Sequence, residues 1–173
     1  MHRHCSPTRD NSGEPISMRW GAIAACAWVL VCSVPVAAQQ AVSLQADGSV
    51  QISGRAVKCG SVRSVLDSNL RSLGLSAPTR KLLVLNPVEL GKQPVILRLF
   101  VFHHECGHHH VGASELAADC WSIREGVRAG WMSKAGLAQI CNFMSGLPQT
   151  RTHPSGADRC KNLTRCFASV VGR

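Results

Sequence analysis

The chain has 173 residues, which is room for one domain. It carries 19 Lys and Arg against 10 Asp and Glu, and this formal net charge of +9 predicts a basic surface with an anionic neighbour, such as a cell-envelope polymer, lipid headgroups or an acidic protein. Nucleic acid is excluded as the expected partner, because the sequence has no recognisable binding motif and no aromatic residues interleaved with the basic ones.

The first 38 residues resemble a secretory signal peptide. An apolar run follows Met18 and extends from Trp20 to Val36, and the small residues that end it predict cleavage after Ala38. Met18 is an alternative start of the chain, and an uncleaved anchor is the alternative interpretation of the run. We expect a single domain of residues 39–173 that is secreted or periplasmic and is not an integral membrane protein.

Six of the nine cysteines lie in this domain: Cys59, Cys106, Cys120, Cys141, Cys160 and Cys166. An exported domain of this size with six cysteines is expected to form up to three disulfides, whose connectivity the sequence does not determine. Cys160 and Cys166 lie too far round one helix to pair easily, so bridges to Cys141 or elsewhere are expected. A thiolate zinc cluster is the weaker alternative, since no CxxC pair is present.

The first half of the domain is predicted to contain a hairpin, a helix and a strand. Polar and apolar residues alternate over 41–52 around Asp47-Gly48, a favoured hairpin turn. Apolar residues then recur at helical spacing from Val62 to Leu73, which predicts an amphipathic helix ended by Gly74. The run Leu82–Leu85 predicts a strand that is either an edge along which an extended peptide lies or a buried connector.

The second half is predicted to form four helices, at about 95–110, 115–129, 134–144 and 158–170. Pro94 fits the start of the first helix, and Ser114, Ser133 and Ser155 are the expected N-caps of the others. Because only a few residues join the first two helices, these should form an antiparallel pair. The predicted fold class is α+β and mostly helical, with a small N-terminal β element.

The first of these helices carries the motif HExxH in His104, Glu105 and His108. Residues four apart share a helix face, so both imidazoles can bind one metal ion, with Glu105 beside the remaining coordination position as general base. In the antiparallel pair, Glu115 lies near His108 and Asp119 near His104. We expect Glu115 to be the third ligand and Asp119 to hold an imidazole by its other nitrogen. Alternatively, Glu115 is an acid in the first turn that faces the helix dipole, and Asp119 is solvated.

The neighbouring histidines, His103, His109 and His110, make this segment resemble a metal-chelating tract. His103 and His110 lie on other faces of the helix than the ligand pair, so we assign them to solvent or packing.

Three motifs resemble those of gluzincin metallopeptidases related to the HtpX and CAAX prenyl endopeptidase group. They are HECGHH, the segment Glu115–Asp119, and Thr152-His153-Pro154-Ser155 with Arg159, and they occur in family order over about 100–159. The chain departs from the family in its short connection between His108 and Glu115, and in lacking the membrane helices of many relatives. The chain therefore resembles a compact, exported version of these metallopeptidases.

The resemblance implies a zincin-like metallopeptidase domain with one Zn²⁺ ion per chain. Its implied ligands are His104, His108 and Glu115, with Glu105 as general base and Asp119 in support. It also implies that His153 and Arg159 approach the substrate side of the metal. There His153 would donate to the developing oxyanion or cap the zinc, whereas the alternative is a surface residue in a turn before proline.

Cys106 is unusual inside the signature, and a disulfide to Cys120 or Cys141 is the expectation. The sequence as a whole predicts an exported, disulfide-stabilised zinc endopeptidase that hydrolyses a peptide or protein substrate by metal-activated water. Two alternatives stay open. One is a noncatalytic zinc-binding module of the cell envelope that binds an anionic partner, and the other is a protein that sequesters metal through its histidines.

Overall fold

The computed structural model of the chain describes residues 42–172, and the predicted signal peptide of residues 1–38 lies outside them. Within this range six short strands come first and five α-helices follow. The fold is therefore α+β and mostly helical, as the sequence predicts. None of the helices in this range is long and apolar enough to cross a membrane.

The first sheet is an antiparallel meander of β1 (Val42–Leu44), β2 (Val50–Ile52) and β3 (Arg55–Val57). The predicted hairpin around Asp47-Gly48 is confirmed, and the Asp47 carboxylate accepts a hydrogen bond from the backbone N–H of Ser49 at 2.9 Å. The third strand follows a second tight turn at Ser53-Gly54, where both residues have positive φ, as the type I′ hairpin turn requires.

The second sheet consists of β4 (Arg63–Leu66), β5 (Gly74–Ala77) and β6 (Leu82–Leu85), in the order β4-β6-β5. The helix predicted from Val62 to Leu73 is wrong, because β4 pairs in parallel with β6 over its whole length. Asp67 then forms a local turn by accepting a hydrogen bond from the N–H of Asn69 at 2.9 Å, which competes with a helix. The predicted strand at β6 is central and not an edge; β4 and β5 are the edge strands of this sheet.

The five helices are α1 (Pro87–Gly91), α2 (Val95–Val111), α3 (Glu115–Arg128), α4 (Lys134–Ser145) and α5 (Gly156–Val171). The last four closely match the predicted spans. Their predicted N-caps are confirmed, since the hydroxyls of Ser114, Ser133 and Ser155 each accept a hydrogen bond from a backbone N–H of the first turn. Helix α1 is additional, and the Asn86 side chain caps it by accepting two backbone hydrogen bonds.

Helices α2 and α3 pack as the predicted antiparallel pair. The hydroxyl of Ser122 donates to the carbonyl of Phe100 at 3.2 Å, and Gly107 lies against Ala118 further along the pair. A Cβ atom at Gly107 would come within 3.1 Å of the Ala118 backbone, so the glycine permits this close approach. The resulting register places His104 opposite Asp119.

Three disulfides link these elements: Cys59–Cys106, Cys120–Cys166 and Cys141–Cys160. The expected pairing of Cys106 with Cys120 or Cys141 is wrong. Cys106 faces the segment between β3 and β4, where both Cys106 and Cys59 are buried, while Cys120 and Cys141 bond to cysteines of α5. Three disulfides in a domain of this size are consistent with an oxidising extracellular environment.

Candidate metal centre

Three side chains expected to bind metal converge where the end of α2 meets the start of α3. The Nε2 atoms of His104 and His108 are 3.2 Å apart. Glu115, the first residue of α3, places Oε2 at 3.2 Å from His104 Nε2 and Oε1 at 3.5 Å from His108 Nε2. One ligand atom from each residue lies within 4.8 Å of the others, so the three can hold one ion.

The burial of these atoms supports a cation between them. Glu115 Oε2 is buried, with His104 Nε2 at 3.2 Å and Arg159 Nη2 at 3.9 Å. A buried carboxylate oxygen is stabilised by a positive charge beside it, which protonated His104 supplies in the absence of a metal and a bound cation would supply in its place. Two imidazole nitrogens and a carboxylate oxygen are a donor set used by catalytic zinc ions. The three residues therefore fit a divalent metal ion.

Both imidazoles are held by their Nδ1 atoms, which turns Nε2 towards the centre. Asp119 is fully buried and its Oδ1 lies 2.9 Å from His104 Nδ1. The carbonyl oxygen of Gly112, at the end of α2, lies 2.9 Å from His108 Nδ1. Since a carboxylate and a carbonyl can only accept, each Nδ1 carries a hydrogen, and each Nε2 can ligate a metal when it carries no proton.

Arg159 holds the Asp119 carboxylate in place by two hydrogen bonds. Its Nε donates to Asp119 Oδ2 at 2.9 Å and its Nη2 donates to Oδ1 at 2.6 Å, a bidentate pair buried between α3 and α5. Burial favours the neutral acid, but the hydrogen bonds from Arg159 and His104 outweigh it and lower the pKa of Asp119 below its usual value. Arg159 is thus packed behind His104, and it also borders a cavity beside the centre.

The charge of the metal-free centre is shared between His104 and Glu115. Burial opposes a charge on His104, but its hydrogen bonds to Asp119 and Glu115 prevail and raise its pKa to about 9. Burial likewise opposes the charge on Glu115, whereas the contact with His104 lowers the pKa of Glu115 overall. Glu115 therefore stays ionised, and a metal ion competes with a proton for His104.

Glu105 lies beside the centre, between α2 and strand β5. Burial is the largest influence on it and raises its pKa, although His104 and His108 oppose that shift. Its side chain packs against Gly74, where β5 begins. A carboxylate with a raised pKa next to a metal site is suited to accept and return a proton.

His153 reaches the centre from the segment between α4 and α5. Its side chain is 49% exposed, and its Nε2 lies 3.5 Å from Glu115 Oε1. The hydroxyl of Thr152 lies 2.9 Å from His153 Nδ1 and helps to orient the ring. The structure therefore brings His153 to the open side of the ligands, whereas Arg159 is paired with Asp119 inside the protein.

An open cleft passes over these residues and has two unlike ends. One end is a cavity of about 260 Å³ with largely apolar walls, which include Leu97, Phe100, Val101, Phe143, Met144 and Leu147. The other end, of about 510 Å³, follows β5 to Pro78. His104, Glu105 and His153 line both cavities. A larger cavity of about 840 Å³ lies between α4 and α5, away from the centre.

Comparison with protein-family models, with curated proteins and with solved structures finds no match to this chain. A function for the protein therefore has to be inferred from the chemistry of the centre and its cleft.

His103 and His110, on other faces of α2, serve packing. The Nδ1 atom of His103 lies 2.8 Å from the carbonyl oxygen of Leu99. The His103 ring packs against Trp131, and the two ring centres are 4.9 Å apart. His110 stacks on Trp121 with ring centres 4.8 Å apart. One atom of His110 also lies near the sulfurs of Cys59 and Cys106, which form a disulfide.

Three contributions to the site were missed at the sequence level. Gly74 and the edge strand β5 were hidden by the helix predicted over the preceding residues. The Gly112 carbonyl and the Thr152 hydroxyl orient His108 and His153. Gly112 is the C-cap of α2, and a glycine just after the predicted helix was an available signal, because the carbonyls at a helix end lack partners.

Proposed function

We propose that the protein is an exported, zinc-dependent endopeptidase of the gluzincin type. The observation that carries the proposal is the convergence of His104, His108 and Glu115 with their donor atoms turned inward, beside Glu105 and an open cleft. A purely structural site would not need the carboxylate of Glu105 between the ligands and the cleft.

His104, His108 and Glu115 would hold the ion. Zinc bound by three protein ligands keeps a position for water, lowers the pKa of that water and polarises a substrate carbonyl. Asp119 and Arg159 would support the site by keeping His104 in the tautomer that ligates through Nε2.

Glu105 would act as general base. It accepts the proton that the attacking water loses and returns it to the leaving amine. Its buried environment raises its pKa, which favours return of the proton to the leaving amine. His153 stands across the centre, and with the Thr152 hydroxyl donating to Nδ1, its Nε2–H would donate to the oxygen that becomes negative during attack.

The cleft suits an extended peptide. Strand β5 is an edge strand and borders the cleft, so a substrate backbone can add to it as a further strand. The apolar cavity bounded by Val101 and Phe143 would take an apolar side chain next to the cleaved bond. The helix pair and the edge strand together support a zincin-like domain.

The proposed setting is outside the cytoplasm. The signal-like N-terminus and the three disulfides support export to the periplasm or medium. The net positive charge supports an anionic neighbour in the cell envelope.

A noncatalytic zinc-binding module is the second candidate, and the position of His153 favours it. Its Nε2 is as close to Glu115 Oε1 as that of His108, at 3.5 Å in each case. A fourth ligand from His153 would close the coordination shell and exclude the water that hydrolysis needs.

The chain beginning at Gln39, produced with its disulfides formed, tests the two candidates. Bound zinc and cleavage of a mixed peptide library are measured for the wild type, Glu105→Gln and His153→Ala, with Glu89→Gln as a control acid outside the centre. The peptidase predicts one zinc per chain throughout and loss of cleavage in Glu105→Gln. One zinc with no cleavage by the wild type, and weaker zinc binding in His153→Ala, would instead favour the closed module.

A further inference from the structure

Strand β5 begins with a residue type that strands disfavour. Glycine within a strand often marks a place where another part of the protein approaches closely. Gly74 pairs with Leu85 of β6, and its own carbonyl accepts a hydrogen bond from the Ser72 hydroxyl at 2.7 Å. Of the glycines in residues 42–172, those with positive φ are Gly48, Gly54, Gly60, Gly112 and Gly130. The backbone at Gly74 thus does not require glycine.

The close neighbours of Gly74 leave no room for a side chain at this position. A Cβ atom there would lie 2.8 Å from Glu105 Cγ, 3.2 Å from Glu105 Oε1 and 3.0 Å from a Val101 methyl group. The first distance is shorter than packed carbon atoms tolerate, so an atom would have to move.

Glu105 is the group that would move. The strand is fixed by its pairing with the buried residue Leu85, and Val101 is buried in the wall of the cleft. The Glu105 side chain borders the open cleft and can change rotamer. We therefore expect a larger residue at 74 to displace the Glu105 carboxylate while the fold and the three proposed metal ligands stay in place.

We propose that Gly74 is a positioning residue for Glu105, leaving the space in which its carboxylate lies between β5 and the metal ligands. The inference rests on the proposed function, since it takes Glu105 to be the general base. Gly74 acts by the absence of a side chain and touches none of the three ligands among its nearest contacts.

Gly74→Ala tests the inference, with Gly146→Ala as the matched control because a Cβ at Gly146 meets no atom within 4 Å. We expect Gly74→Ala to keep one zinc per chain and to lower kcat by about 10- to 100-fold, the scale of effect that a misplacement of about 1 Å can have. The acid limb of the kcat/KM profile should also move, because protonation of the proposed general base would cause that limb. In a Glu105→Gln background, Gly74→Ala should lower the residual rate no further.

A spectroscopic readout separates this inference from the proposed function. With Co²⁺ in place of zinc, the visible absorption is followed against pH for the wild type, Gly74→Ala, Gly146→Ala and Glu105→Gln. A Gly74→Ala midpoint shifted towards that of Glu105→Gln supports the positioning role, whether or not a peptide is cleaved. A midpoint and kcat equal to the wild type would overturn it, even if Glu105→Gln abolished cleavage. Absence of Glu105-dependent cleavage would overturn the proposed function, and the cobalt midpoint would then decide the role of Gly74.

Discussion

Two groups of side chains of types that can bind metal involve α2, and each contributes two residues of α2 that lie four apart. His104 and His108 meet Glu115 of α3 on one face, and Cys106 and His110 meet Cys59 on another. In each group two members come from α2 and one from a different element. Spacing alone therefore gives the two groups equal standing as candidate metal sites.

The surroundings of the two groups differ. His104 and His108 each have an acceptor at Nδ1, and Arg159 fixes one of these acceptors. In the other group the two sulfurs are joined in a disulfide, which removes the thiolates that bind metal, and His110 is exposed and stacked on Trp121. Helical spacing thus finds candidate ligands, whereas their chemical state and their orienting partners distinguish a metal site from a structural cluster.

The largest expected difference between the groups is in metal binding. Glu115→Ala removes one of the three proposed ligands and should abolish tight zinc binding, measured as zinc per chain after dialysis. His110→Ala alters the other group at the same helical spacing and should retain one zinc. If Glu115→Ala kept its zinc, or His110→Ala lost it, the assignment of the two groups would be wrong.

The group of Cys59, Cys106 and His110 should contribute to the free energy of unfolding through its disulfide. The Cys59–Cys106 bond closes a loop with a sequence separation of 47 residues. Replacing both cysteines by alanine should lower the free energy of unfolding by about 2–4 kcal/mol, because the unfolded chain gains freedom. Denaturant unfolding measures the loss. The same replacement of Cys141 and Cys160, separated by 19 residues, is the control and should cost slightly less. Loss of zinc at native conditions from the folded Cys59/Cys106 variant would argue for a metal role.

Support for the ligands can be tested at Asp119. Asp119→Asn removes the charge that binds His104 Nδ1–H and leaves Arg159 without its ionic partner, so zinc affinity should fall by about 10- to 100-fold. Competition with a coloured chelator measures the affinity. Glu125→Gln, on the same helix but away from the centre, should bind zinc like the wild type. An unchanged affinity in Asp119→Asn would show that the imidazole is adequately oriented without it.

Local patterns in the sequence predicted the half of the protein that carries the ligands. The spacing of apolar residues, the Ser114 cap of α3 and the short connection at Gly112 determine α2 and α3. The antiparallel pair then places Glu115 and Asp119 beside the histidines. These interactions span few residues, so they can be inferred from periodicity and capping alone.

The contributions that were missed depend on contacts between distant residues. β4 and β6 are paired neighbours in the sheet, although β5 lies between them in the sequence. A parallel pairing of this kind leaves little local signal. The helical interpretation of residues 62–73 therefore concealed β5 and Gly74. The partner of Cys106 was equally hidden, because six cysteines allow many pairings and Cys59 lies in a segment whose path depends on that sheet.

The smallest expected effect is a proton exchange that only the His104 group should show. In the metal-free protein, burial opposes the charge on His104, but its bonds to Asp119 and Glu115 raise its pKa to about 9 from the ordinary 6.5. The charged ring therefore stabilises the metal-free fold fully below pH 6.5, and this contribution is lost as the pH rises through about 9.

Zinc requires the neutral ring, so the dependence of binding on pH has the opposite sign. At neutral pH, zinc loading should release about one proton, and the apparent affinity should rise with pH until about 9. Calorimetric titrations in buffers with different enthalpies of ionisation measure the protons released. His110→Ala should release the same number, because its ring lies outside the ion pair. A titration that released no proton would mean that His104 is already neutral, and the contact with Asp119 would then be a neutral hydrogen bond that orients the ring without holding a charge.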